Sequence, residues 1–384
     1  MEVSQVYQFV NAATSEAIGD TAVLTEDLSN VVDVGVAVFN ANAFDKYVKS
    51  LVNHIGKVIF VNRPYRGSAP SVLMDSWEYG SVVEKIHSEM PEAVENESWE
   101  LTDGASYDPH VFHQPSAEVK FFNKMVTFEI DRSITEEQVR QSFSSATQLN
   151  GFISMLYNEV EKAMTVKIDA LVMRTINNMI GETVYAQYQG AAITTAGGPK
   201  AVNLLPMYNT QYGTQLTADQ ARLDPNFIRY AAYTMALYVD RLTRMSTLFN
   251  VGGKQRFTPK DLQHIVMLSE FRAAADVFLQ STTFHNEYTR LVNAETVPFW
   301  QGSGLDYGFN STGTVDVTTA SGNSQRVTGV IGVIFDRDAL GVMNYNRRVT
   351  TQWNAKAEFT NYFYKMDARY FNDLNENFVV FFIA

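Results

Sequence analysis

Residues 376–384 read ENFVVFFIA. Seven of the nine are apolar, and they fill both alternating faces of the run. A strand reads this way when it is covered on both sides. Chain ends fray unless something holds them, and fully burying each Phe, Val or Ile contributes about 1.5–3 kcal/mol. The run is therefore expected as a central strand of a second lobe, paired with segments over a hundred residues earlier. Length agrees: 384 residues, 46% hydrophobic, exceed the roughly 250–300 that one core organises.

Upstream of that run, residues 347–373 (RRVTTQWNAKAEFTNYFYKMDARYFND) alternate enough to form two strands. Residues 329–345 (GVIGVIFDRDALGVMNY) read as a strand leading into a short helix, with Asp336 as N-cap and Asp338 in its first turn. Residues 302–328 are a polar, Gly/Ser/Thr-rich excursion. Ile265–Leu268 reads as a strand followed by a helix, and 224–250 as a long helix.

The clearest element lies further back. From Ala146 to Gly181 no proline intervenes, and Leu149, Phe152, Ile153, Leu156, Val160, Ala163, Met164, Ile168, Leu171, Val172 and Ile176 keep a helical rhythm. At 1.5 Å per residue this predicts a beam of roughly 50 Å. Met155, Met164, Met173 and Met179 along it are expected as core filler. The preceding SITEEQVRQSF opens with a cap at Ser133 or Thr135.

Residues 63–131 are polar and strand-like: VLMDSWEYGSVVEKIH and AEVKFFNKMVTFEID suggest a ribbon whose tip is the acidic stretch 88–108. A two-stranded ribbon is marginal alone in water, so this one is expected to lie on something else, a hint of contact between molecules. Phe44, Val48, Leu51, Val52 and Ile55 predict a helix, and Lys57–Asn62 a strand. Residues 1–30 read as an arm rather than a core element, with a stripe of Val3, Val6, Tyr7 and Val10 closed by Gly19.

Chemistry is sparse. There is no cysteine, hence no disulfide, zinc-thiolate site or cysteine nucleophile. Neither G-x-G-x-x-G, H-E-x-x-H nor G-x-S-x-G occurs, and GGKQ at 252–255 lacks the Ser or Thr that completes a phosphate loop. His110 and His113, three apart on extended chain, face opposite ways. The Asp336/Asp338 pair is explained by capping. No catalytic, cofactor or metal site is expected. The N-terminus carries no signal-peptide pattern, and no apolar window approaches the ~18 residues of a spanning helix, so a soluble, cytoplasmically made chain is expected. Net charge −12 disfavours wrapping DNA, since non-specific affinity comes from Lys and Arg.

The ordered set of parts, above all VIFDRDALGV (333–342), YVKSLVNHIGKVIF and WNAKAEFTNYFYKMDARYFNDLNENFVVFF, resembles the major capsid proteins of tailed bacteriophages with the Hong Kong ninety-seven fold, especially those of small short-tailed phages of the phi-twenty-nine kind. The resemblance implies an α+β fold. It divides the chain into an N-terminal arm (1–30), a peripheral (P) domain segment (31–62), an extended hairpin called the E-loop (63–131) and the P domain proper (132–199) with its spine helix (146–181). An axial (A) domain (200–345), P-domain strands (346–373) and a terminal strand rejoining the A-domain sheet (374–384) complete it. It implies pentamers and hexamers of an icosahedral or prolate shell enclosing double-stranded DNA without sequence-specific binding. With no segment ahead of the arm to act as a built-in scaffold, a separate scaffolding protein is implied, with a portal protein as a further partner. Assembly would take place in the host cytoplasm, with no membrane and no cofactor. Trp77, Tyr79 and Trp99 are the aromatics expected to anchor the hairpin on a neighbouring copy. A nanocompartment shell of the encapsulin kind, or a two-domain cytoplasmic enzyme, are the alternatives.

Overall fold

The run that opened the sequence reading forms β13 (Phe378–Phe382), buried at every position. It lies inside a five-stranded mixed sheet of order β5-β13-β10-β6-β7. The other strands are β5 (Ala201–Asn203), β6 (Gln263–Leu268), β7 (Glu295–Val297) and β10 (Val330–Asp336). One neighbour, the parallel β5, stands far back in the chain, with Val380 opposite Ala201. The other, the antiparallel β10, precedes β13 by one long hairpin only, so the expected remoteness holds for one edge of the strand and not the other. The end is tied doubly: the Asn203 side chain donates to the Ala384 carbonyl at 2.9 Å and accepts from the Ala384 N–H at 3.1 Å.

The computed structural model describes residues 3–19, 24–41, 46–51, 69–74, 83–88, 117–280, 294–301 and 312–384, with isolated positions between them. The strand expected at 57–62, most of the acidic stretch 88–108, and Phe44, Val52, Ile55 and His113 lie outside these residues.

A second sheet, β1-β11-β12-β4, carries the longest ladder. Here β11 (Leu340–Asn354) and β12 (Phe359–Asn372) are antiparallel, β4 (Met125–Thr135) flanks β12, and β1 (Leu73–Met74) flanks β11. The short helix expected after Asp336 is not formed: β10 turns at once into β11. Asp336 still caps, but it caps a turn. Its Oδ1 accepts from Asp338 N at 2.9 Å, its carbonyl from Ala339 N at 2.9 Å, and its Oδ2 from the Thr258 hydroxyl at 2.6 Å. The same side-chain chemistry opens helices and closes Asx turns. What decides is the chain beyond it, which finds a fourteen-residue partner in β12. The excursion 302–328 likewise holds a small hairpin, β8 (Val315–Thr318) with β9 (Ser324–Val327).

Helix α1 (Val3–Ile18) ends before Gly19, at φ +66°, as expected. It is no free arm, however. Val6, Val10, Ala13 and Ala17 are buried, and the helix packs on α2 (Val31–Asn40) and the long beam. The stripe seen at Val3–Val10 runs the whole helix, which gives it a core face. The short α3 (Glu136–Ser142) starts at Thr135 with a full capping box to Gln138.

The beam is α4, Ala146–Tyr188, 43 residues and so roughly 65 Å long. It outruns the expected stop at Gly181 because its second half is enclosed by β5, β13 and the β8–β9 hairpin as well as by the second sheet. Burial on nearly every face replaces the one-sided rhythm of the first half. Gly181 serves approach, not termination: a Cβ there would stand 2.0 Å from Val317 Cγ2. The helix closes at Gln189, in the left-handed region at φ 50°. Of the four methionines, Met164, Met173 and Met179 are core filler, whereas Met155 is 45% exposed. Further helices include α5 (Leu204–Tyr212), α6 (Pro225–Arg241) and α7 (Ser269–Gln280). α6 is capped by Asp224 and stops nine residues short of the expected Asn250, where the chain turns into the Ser246–Arg256 bridge.

Candidate assembly surface

The ribbon consists of β2 (Val83–Ser88) and β3 (Ala117–Phe122), antiparallel, with Glu84 opposite Phe121 and Ile86 opposite Val119. Residues 125–131, expected within the same hairpin, instead pair with β12 in the second sheet. Side chains alternate across a strand, so the ribbon has two faces. One carries Lys85, His87, Glu118, Lys120 and Phe122, all half-buried; the other carries Glu84, Ile86, Val119 and Phe121, all exposed.

The half-buried face meets the chain's own body at two places. The first is the turn joining β12 to β13, together with the β10–β11 turn that accepts from it (Asp373 N to the Ala339 carbonyl, 2.7 Å). Lys85 Nζ stands 3.1 Å from Asp373 Oδ2, 3.6 Å from Glu376 Oε1 and 2.6 Å from the Asp338 carbonyl. Lys120 Nζ reaches Asp373 Oδ1 at 3.1 Å, and Asn375 Nδ2 donates to Glu118 at 3.3 Å. The second place is the loop 252–256. Lys254 pairs with Glu118 at 3.2 Å, Arg256 pairs with Glu376 at 3.2 Å, and Arg256 also meets the His87 ring. Phe122 lies against Phe371, centroids 5.3 Å apart, and Lys85 Nζ stands 5.6 Å from the centre of the same Phe371 ring.

Two carboxyls in that turn titrate in opposite senses. Burial pushes Asp373 up, but Lys85, the Asn375 N–H and Lys120 outweigh it and hold its pKa below the ordinary value. Glu376 is raised, because burial outweighs Lys85 and Arg256. Glu118 is lowered, chiefly by its hydrogen bond to Lys254. The seat is thus polar, with a cleft of about 340 Å³ between ribbon and body.

The exposed face is the reverse. Ile86 is 70% exposed and Phe121 64%, with Val119 beside them. A ribbon that turns charge inward and apolar side chains outward inverts the usual pattern of a sheet on a core, and contiguous exposed apolar residues mark interaction sites. The sequence carries the alternation in AEVKFF, but which face meets the body is settled only by the ion pairs to Asp373 and Lys254, over 100 residues away in the chain. Trp77, Tyr79 and Trp99 lie outside the described residues; the ribbon's exposed apolar side chains that are described are Ile86, Val119 and Phe121, which sequence reasoning passed over.

Among the described residues no group of His, Asp and Glu could hold a metal, and no helix is long and apolar enough to cross a membrane. His110 is exposed, its N–H donated to Asp108 Oδ1 at 2.9 Å.

No curated protein matches the chain. Among solved structures it is similar to the capsid of Staphylococcus phage Andhra (10% identity, 82% of this chain and 83% of that one, TM-score 0.46). It is also similar to the capsid of the Cyanophage P-SCSP1u (10%, 84% and 90%, TM-score 0.42) and to a chain of Mycobacterium phage Ogopogo (10%, 82% and 91%, TM-score 0.40). A family model, Phi29-like phage major capsid protein, matches residues 10–382. That span takes in the second half of α1, the ribbon, the beam and both sheets: the chain belongs to the family of Phi29-like phage major capsid proteins.

Proposed function

We propose that copies of this chain, as the major capsid protein of a tailed phage, close into pentamers and hexamers of a shell, icosahedral or prolate, around double-stranded DNA. In this reading the ribbon is the E-loop and α4 the spine of the P domain. The five-stranded sheet with α5, α6 and α7 is the A domain, in the Hong Kong ninety-seven arrangement. The role is structural rather than enzymatic.

The observation that carries the reading is the inverted ribbon. Its outward Ile86, Val119 and Phe121 are exposed among the described residues, and an adjoining copy would supply a partner face. Trp77, Tyr79 and Trp99 would extend that contact along the ribbon. Closed symmetric assembly multiplies modest contacts into a stable shell. Net charge −12 suits a container that holds DNA without binding its sequence. A separate scaffolding protein would set curvature, a portal would occupy one vertex, and assembly would proceed in the host cytoplasm.

The test is electron microscopy and sedimentation of the purified chain, alone and with its scaffolding partner. Closed shells are expected. A chain that stays monomeric in both conditions, with its ribbon fully protected from proteolysis, would overturn the reading.

A further inference from the structure

We propose that the ribbon is fastened to its own subunit as an ionic latch: ion pairs hold it on a fixed socket of three turns, and rising salt lets it lift off while both sheets stay folded.

The socket is tied together by its own backbone. Its parts are the loop 249–256, the β10–β11 turn and the β12–β13 turn. Gly252 N donates to the Leu374 carbonyl at 2.8 Å, and Phe378 N to the Phe249 carbonyl at 2.9 Å. Asp373 N donates to the Ala339 carbonyl at 2.7 Å, and Asp336 N to the Asn377 carbonyl at 2.9 Å. Beneath them the Thr258 hydroxyl donates to Asp336 and accepts from Asn377 Nδ2 at 3.1 Å.

The ribbon is attached in a different way. Among the described residues, β2 and β3 make backbone hydrogen bonds to each other and none to the socket. Side chains make the hold: Lys85 on Asp373 and Glu376, Lys120 on Asp373, Glu118 on Lys254 and Asn375, and His87 on Arg256. The ring contact of Phe122 with Phe371 stands at the ribbon's root. After Asn123 and Lys124 the chain enters β4, where Met125 lies opposite Arg369 and the Lys124 carbonyl accepts from Tyr370 N at 3.3 Å. Those two residues are the pivot on this strand.

Salt reaches the hold. Lys85, Lys120 and Glu118 keep 22%, 30% and 34% of their side chains exposed. Partly exposed ion pairs contribute little each and are screened by salt, whereas apolar burial such as that of β13 does not depend on charge. Lifting breaks the ribbon's pairs to the socket together, so their small responses to salt act in one direction. A two-stranded ribbon is marginal in water, so its own hydrogen bonds open once it leaves the socket. Fastened, it presents Ile86, Val119 and Phe121 in one direction; released, it lets them reach toward an adjoining copy. That consequence rests on the reading of the ribbon proposed above, whereas the latch is a property of one subunit.

The test is hydrogen exchange, read by mass spectrometry, on the unassembled full chain at neutral pH. Between about 0.05 M and about 0.5 M sodium chloride, exchange in β2 and β3 is expected to rise about tenfold while β13 stays unchanged. Glu118→Lys sets like charges against Lys254 and Lys120 and should give the same rise at low salt; adding Lys254→Glu should restore protection. Ribbon exchange that does not respond to salt overturns the proposal, as does a rise that β13 shares, which is global unfolding. A ribbon left as protected by Glu118→Lys as in the wild type overturns it too. Shell formation is read separately by microscopy: a salt-released ribbon on a chain that forms no shells supports the latch and removes only the reading of the ribbon as a contact between copies.

Discussion

Two segments of this molecule are laid onto the body from a distance, and they are seated in opposite ways. Strand β13 enters the five-stranded sheet with Phe378, Val379, Val380, Phe381 and Phe382 all buried, hydrogen-bonded on both edges. The ribbon β2–β3 rests on the β12–β13 turn through Lys85, Lys120 and Glu118 and leaves Ile86 and Phe121 in water. The first segment is finished within one chain. The second is half finished, and its unfinished half is the apolar one. Apolar burial is non-directional and strong, whereas ion pairs at partly exposed sites contribute little net stability. The difference therefore separates what holds the subunit together from the surface that the proposed shell would use.

The sharpest way to break this comparison is at Phe381, fully buried and edge-on to Tyr238 at 5.2 Å. Phe381→Ala is expected to lower unfolding stability by about 3–5 kcal/mol, measured by urea denaturation. A loss under about 1 kcal/mol would mean that β13 is no core strand.

Next comes Gly329, at φ +65°, whose added Cβ would stand 2.0 Å from the Ile383 carbonyl oxygen. Gly329→Ala should cost about 1–3 kcal/mol in the same assay and expose the last residues to carboxypeptidase.

At the ribbon's seat the effect shrinks and becomes dependent on pH. Asp373→Asn should destabilise by about 1–2 kcal/mol at pH 7. Because the folded pKa of Asp373 is depressed, its contribution is full above the unfolded carboxylate pKa. It disappears as pH falls through the lower folded value. Wild type and variant should therefore converge in acid; a gap that persists there would exclude the carboxylate as its source. Hydrogen exchange should locate the loss in β2 and β3 rather than β13.

The smallest effect on the subunit belongs to Phe121. Phe121→Ser should leave unfolding stability within about 0.5 kcal/mol while abolishing shells in light scattering and microscopy. Normal assembly by this variant would remove the ribbon's outward face from the interface.

How much of this could be read from residues alone follows the same division. Where one segment carries its own signal, the sequence sufficed. ENFVVFFIA could only be a covered strand, a cap at Ser133 or Thr135 announced α3, and the 146–181 rhythm announced the beam. Where two signals share one chemistry, it did not. Asp336 caps a turn as readily as a helix, and only the presence of β12 opposite Leu340 decides. The end of α4 was hidden because enclosure on all faces erases periodicity. The ribbon's faces were hidden because polarity does not state direction: Lys120 and Phe121 are neighbours in the chain, and only Asp373 assigns Lys120 to the inside.

The turn 373–376 does two jobs. It receives the ribbon, and it is the bridge from β12 in one sheet to β13 in the other. A neighbour tugging on the ribbon therefore does not strain a slack loop. The pull would arrive at the joint between the two sheets, at the opposite end of β13 from the Ala384 terminus that Asn203 holds. In a vessel under internal pressure, hoop tension would run from one tile to the next through that joint, and its stiffness would set how far the wall can stretch before it tears.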